Sequence, residues 1–309
     1  MYLTNDEVSR KLRAQLSYRT ALRGQSKSGR LARISWVTWI ITIGTIAVWC
    51  FTAYQVALAS GAHSFHDIIA NVLNNTENAD VLIRYGAKDN SSILAGQYWR
   101  FLTPVFLHAN LLHVGLNMLN FFILGIFIER LFGHTRFLLI YLVTGVISVI
   151  ASFYFAPQEI SVGASGAIFG VVGAYSVFVL MHRRAFRAGG IPILLWLVFV
   201  IGLNLGLGLF IANVDNYAHL GGLISGFLLG WLFTPLYVQL PAEGEGEGNS
   251  ASIQTANDAI ASTASAVRQS IRRTQLVDVH SLSRCWPLAI LTILVTLLLA
   301  ILALHFVGG

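Results

Sequence analysis

Three short segments of the chain carry residue types able to hydrolyse an acyl bond. The first is Ser161-Val-Gly-Ala-Ser165-Gly-Ala-Ile-Phe169-Gly170. Gly163 and Gly166 flank Ser165 and let the backbone turn tightly, which leaves the hydroxyl accessible. Gly166 and Gly170, four apart, give a flat helix face against which another helix can pack closely. Taken alone, the segment fits simple helix packing as well as it fits a nucleophile.

The second segment, Asn216-Tyr-Ala218-His219-Leu-Gly221-Gly222, runs on to Gly226 and Gly230. An imidazole in an apolar stretch is costly unless it has a partner or a task. Serine is a weak nucleophile at its free pKa and needs an adjacent base, so Ser165 and His219 read together as nucleophile and base. The glycine row beside His219 would let its helix approach the one carrying Ser165. Asp215 sits where a helix begins, and a carboxylate there caps the first turn. Asp215 is therefore read as a cap.

The third segment is His108-Ala-Asn-Leu-Leu-His113-Val-Gly-Leu-Asn117. His113 and Asn117 are four apart and share one helix face, so both can aim donors at one point. Acyl transfer needs donors where the carbonyl oxygen becomes an anion; an interhelical polar clamp would need the same spacing. A metal site is not expected. There is no His-Glu-x-x-His, and no carboxylate accompanies these histidines. No cofactor is expected either, and no pair of aspartates lies within the apolar runs.

These residues must be positioned by helices in lipid. The apolar fraction is 55% and the charged fraction 11%, with a mean hydropathy of +0.67. Soluble domains carry about 25% charged residues. Uncharged runs near 34–58, 112–128, 137–156, 165–181, 190–212, 217–239 and 286–307 are each about the length needed to cross a bilayer. The expected fold is an all-α polytopic transmembrane bundle, a six-helix core plus a C-terminal seventh transmembrane helix. Ser165 and His219 each begin about 18 to 20 residues before the inner ends of their spans, roughly 27–30 Å at the rise of a helix, so they are expected at one depth.

Seventeen of the 20 lysines and arginines fall in the N-terminal arm and in alternate connections. Positive loops stay inside, which places the N-terminus in the cytoplasm and the C-terminus outside. The net charge of +6 thus follows from topology and calls for no nucleic-acid partner. The expected divisions are a basic cytoplasmic arm at 1–33, the catalytic core at 34–240, a cytoplasmic linker at 241–283 and the seventh helix at 284–309. The 60–107 segment reads as an outer loop. A bacterial plasma membrane is the expected location.

The segments resemble the rhomboid family of intramembrane serine proteases. The resemblance runs from about Trp99 to Gly230. It rests on Trp99-Arg100, His113-x-x-x-Asn117, Glu129-Arg130 with Gly133, Gly163-x-Ser165-Gly166 and Ala218-His219-x-x-Gly222-x-x-x-Gly226, in the family's order. It implies Ser165 as nucleophile, and His219 as general base and later acid. The oxyanion would be met by His113, Asn117 and the Ser165 backbone N–H. It further implies a structural or water-retaining His108, and a Phe169 that packs on the catalytic histidine where some members have tyrosine. Trp99, Arg100 and Glu129 are expected to hold structure. The implied substrates are membrane-spanning proteins, cut near the outer face in the lipid bilayer through an acyl-enzyme. The alternatives are an inactive relative that binds or traffics other proteins, and a transporter with His219 on a proton path. Intact Ser165 and His219 argue against the first; the absence of internal repeats argues against the second.

Overall fold

Backbone groups in hydrocarbon find partners only inside a helix or a closed barrel, and among the described residues each apolar run of this chain contains a helix. The computed structural model describes residues 34–74, 77–183, 190–210, 214–235, 237–240, 275–278 and 282–308. The basic arm at 1–33, Arg184, Arg187 and the 241–274 part of the linker lie outside the described residues.

The first span is α1 (Trp36–Ala59). Three short helices follow it: α2 (Phe65–Leu73), α3 (Ala79–Tyr85) and α4 (Asn90–Leu94). Side-chain caps start each of them. Ser64 and Asp67 form a reciprocal capping box, Asn78 accepts from Val81 N, and Asp89 accepts from Ser92 N. Such caps satisfy donors that a helix start leaves unpaired, so a stretch expected as a loop is in part helical. Two single turns of 3-10 helix, Tyr98–Phe101 and Thr103–Phe106, then lead to the second span.

The remaining long helices are α5 (Leu111–Phe132), α6 (His134–Phe155), α7 (Ser165–Met181), α8 (Ile191–Phe210), α9 (Asn216–Phe233) and α10 (Leu282–Gly308). Among the described residues five helices (α1, α5, α6, α8 and α10) are long and apolar enough to cross a membrane, and α7 is a shorter apolar helix. In α7 every residue from Gly166 to Val179 is buried, so other helices surround it. By contrast α9 turns Ile224, Leu228 and Trp231 outward, where lipid would solvate them.

Glycine sets the contact between α7 and α9. A Cβ on Gly222 would overlap the Gly166 carbonyl, one on Gly226 the Gly170 carbonyl, and one on Gly230 would lie 2.6 Å from Ala174 Cα. On the side of α7 that faces α6, a Cβ on Gly166 would strike Ser148, and one on Gly170 would strike Thr144. Both hydroxyls bond back to their own helix, Thr144 Oγ1 to Ile140 O and Ser148 Oγ to Gly145 O, at 2.7 Å each. Backbone-to-backbone packing of this kind fixes helix spacing with little room for adjustment.

Glu129, near the end of α5, is buried and accepts from Val37 N, Thr38 N and Thr38 Oγ1 at 3.1, 2.8 and 2.6 Å. It thus caps α1 from another helix, as a carboxylate near a helix N-terminus should. Gly133, at φ +81°, ends α5 and admits α6 directly. Helix α10 packs on α6 and α9, and at its far end Gly308 lies beside Leu94 of α4.

Two expectations need correction. The sixth span was expected to reach 239, yet α9 stops at Phe233, because the residue before Pro235 is driven to extended geometry and Thr234 adopts it (ψ 123°). The fold was expected to be all-α, yet β1 (Tyr237–Leu240) pairs antiparallel with β2 (Gln275–Asp278), Tyr237 opposite Asp278. This ribbon belongs to a unit separate from the helical bundle.

Candidate active site

The loop after α6 enters α7 through Gly163, whose φ of +125° suits glycine. Ser165 follows as the first residue of α7. Its Oγ lies 2.8 Å from His219 Nε2, at hydrogen-bond length for a nucleophile and its base. His219 sits in the first turn of α9, so both residues project from the starts of helices that touch through their glycines.

Two features orient the imidazole. Phe169, one turn below Ser165, stacks on it with ring centroids 4.5 Å apart and planes 16° apart. The helix start itself is held by Asp215, whose Oδ1 accepts from Ala218 N at 2.9 Å. Asp215 therefore caps α9, as expected. His219 Nδ1 is buried and has no hydrogen-bond partner among the described residues. Among the described residues an aromatic face, and not an acid, lies against the ring.

His113 faces the same turn: a Cβ on Gly163 would lie 2.8 Å from His113 Nε2 and 3.9 Å from Ser165 Oγ. The imidazole and the hydroxyl thus flank one glycine. Asn117 is buried on the same helix face, and its Nδ2 donates to His113 O at 3.0 Å. One of its two N–H donors is therefore already engaged within α5. His108 accepts from Ala164 N through Nε2 at 3.3 Å and packs edge-on to His113, centroids 5.0 Å apart. It supports the turn that presents Ser165. Gly166 serves the helix contact described above.

A cavity of about 410 Å³ opens over these residues. Ser165, His219, His113 and Asn117 line its floor, and Val200 and Asn204 of α8 line a side. Glu77, hydrogen-bonded by Asn110 Nδ2, and Asp215 also reach it. No group of three metal-binding side chains occurs among the described residues.

Residues outside the Ser165–His219 pair hold the segment between α1 and α5. Arg100 is buried and donates from Nη1 to Ile83 O and Ala87 O at 2.7 and 2.8 Å, with Trp99 over its guanidinium at 4.6 Å. Sequence reasoning missed Lys88, counted there only as one outer charge. It is wholly buried against the loop that leads to Ser165. Its sole sequence signal was a cation standing between Ala87 and the Asp89 cap.

The chain is similar in sequence to known proteins. A family model described as "Rhomboid domain" matches residues 95–236, which contain Ser165, His219, His113, Asn117, His108 and Phe169. Rhomboid protease GluP of Bacillus subtilis (strain 168) is 43% identical over 160 residues, covering 52% of this chain and 31% of that protein. RHOMBOID-like protein 1 of Arabidopsis thaliana is 36% identical over 212 residues, 64% of this chain and 54% of its own length. RHOMBOID-like protein 6, mitochondrial, from the same plant is 33% identical over 226 residues, 68% and 72% of the two chains. The chain thus spans about a third of the first and about half of the second.

Proposed function

Since the chain belongs to the rhomboid family, a multi-pass membrane family with intramembrane proteases among its members, we propose that it is a serine endopeptidase. Its substrates are membrane-spanning proteins, cut by Ser165 and His219 through an acyl-enzyme. The observation that carries this reading is the 2.8 Å approach of His219 Nε2 to Ser165 Oγ on the floor of a cavity.

The chemistry follows from that approach. With the imidazole neutral and its proton on Nδ1, Nε2 accepts the Ser165 proton as Oγ attacks the scissile carbonyl. The Ser165 N–H, at the start of α7, has no partner within its own helix and meets the developing oxyanion, with His113 Nε2 beside it. Asn117 supplies its second N–H. Collapse of the tetrahedral intermediate passes the proton from Nε2 to the leaving amine. Water then repeats the sequence on the acyl-enzyme, with His219 again as base. The cavity's volume is ample beside the roughly 30 Å³ that one water occupies.

Depth and side follow from charge. The dyad sits at the ends of α7 and α9 opposite Arg183, and the positive-inside rule puts those ends outward. The cut therefore falls near the outer face, the N-terminus in the cytoplasm and the C-terminus outside.

A fluorophosphonate reagent tests the nucleophile without knowledge of the substrate. Purified protein should be labelled at Ser165, read by mass spectrometry of the peptide, and Ser165→Ala should not be labelled. Unlabelled wild type, or equal labelling of both, contradicts the reading.

A further inference from the structure

Lys88 is a buried cation that the hydrolytic chemistry does not use. Its Nζ donates to Ala156 O at 2.6 Å and to Glu159 O at 2.8 Å. Its backbone pairs with Ser161 in both directions, N to O at 2.9 Å and O to N at 3.2 Å. Next to it, Asn90 Nδ2 donates to Phe153 O at 2.9 Å. Phe153 and Ala156 end α6, where carbonyls have no helical partners and the dipole is negative. Two side chains of the outer segment thus close the end of α6.

The loop so held is the one that presents the nucleophile. Ser161, Val162 and Gly163 line the cavity, Gly163 N donates to Pro104 O at 2.9 Å, and Ser165 follows two residues on. Lys88 does not reach the cavity. Its own segment is locked in turn, since Arg100 binds the carbonyl of Ala87.

We propose that Lys88 is a positioning residue for Ser165: its ammonium holds the 156–161 loop, and losing that charge slackens the turn and slows nucleophilic attack. This rests on Ser165 being the nucleophile.

Burial pushes the Lys88 ammonium down from 10.5 to about 8, opposed by the negative charges of Asp215, Glu159 and Asp89. The charged groups around it are those three carboxylates and Arg100. Between pH about 8 and 10.5 the unfolded chain holds this proton more tightly than the folded one. Raising the pH through that window therefore stabilises the fold as far as Lys88 is concerned. A loss of reactivity there is a local loosening and not unfolding.

The test uses the full chain in detergent and follows the rate of fluorophosphonate labelling from pH 6 to 10, beside thermal unfolding at each pH. Lys88→Met should label roughly tenfold more slowly than wild type at pH 7, as for loss of charge-assisted hydrogen bonds. The gap should shrink above pH 9, where wild type has lost its charge too. Lys88→Arg, charged throughout, should carry its plateau at least one pH unit higher than wild type. A constant ratio of wild type to Lys88→Met, or the same alkaline fall in wild type and Lys88→Arg, overturns the proposal. If Lys88→Met does not fold, the Lys88→Arg comparison decides. Labelling that persists in Ser165→Ala would instead overturn the nucleophile itself, so the two failures are distinguishable.

Discussion

Gly222 of α9 touches Gly166 of α7 backbone to backbone: a Cβ on Gly222 would overlap the Gly166 carbonyl oxygen. The contact lies one residue past Ser165 and three past His219, so it sets the distance between the two reactive atoms. A methyl group at this point must push the helices apart, and a misplacement of about 1 Å can cost on the order of 10²-fold in rate. Gly222→Ala should therefore cut the cleavage rate by at least tenfold. Gly226→Ala makes a similar clash one turn deeper. It should destabilise by about 1–3 kcal/mol with a smaller effect on rate. Thermal unfolding and initial rates of both variants in one detergent check this; equal rate losses would detach the glycine contact from the dyad.

The stacking of Phe169 on His219 has its own consequence. With no acid on Nδ1, the ring's angle depends on that face. Phe169→Ala should lower kcat about tenfold or more with little change in KM, as a transition-state effect does. Phe169→Tyr keeps the face and should stay within about threefold of wild type, on the same scale of reading rates as free energies. Wild-type kcat in Phe169→Ala would show that the orientation comes from elsewhere.

His113 and Asn117 should tune the rate without being indispensable, and unequally. His113 Nε2 stands against Gly163, whereas Asn117 already gives one N–H to His113 O. Loss of a dominant oxyanion donor costs on the order of 10²–10³ in rate, and shared donors cost less. His113→Ala should therefore fall further in kcat than Asn117→Ala, with KM little changed in both. Full activity of both variants would leave them as a packing clamp, and a rise in KM alone would make them substrate-binding residues.

Much of this arrangement was legible in the residues, for physical reasons that differ from one element to the next. Lipid forces every spanning run into a helix, so the helices could be read from hydropathy, and five of them are long and apolar enough to cross a membrane among the described residues. The glycine row from Gly222 to Gly230 pointed to close approach because nothing else lets two backbones meet. The end of α9 was misplaced because hydropathy continues past Phe233 while Pro235 stops the helix, and the pairing of β1 with β2 spans a linker with no periodic signal. The outer helices are short and held by caps such as Ser64 with Asp67, a pattern present in the sequence but easily passed over in a polar stretch. Lys88 was not legible at all. A lysine in an outer segment reads as a solvated charge, and only the fold brings the end of α6 to its ammonium.

The central claim is that Ser165, activated by His219, cuts a peptide bond of a membrane-spanning protein. Its most direct test reconstitutes purified protein in liposomes with a single-span substrate that carries small residues near its outer end. The initial rate of product formation is then compared between wild type and Ser165→Ala. The hydroxyl is all that this substitution removes, so the variant should fold as wild type does. Wild type should release two fragments, and Ser165→Ala should release none above the rate of the lipid-only control. Fragments formed equally fast by a folded Ser165→Ala preparation would contradict the account.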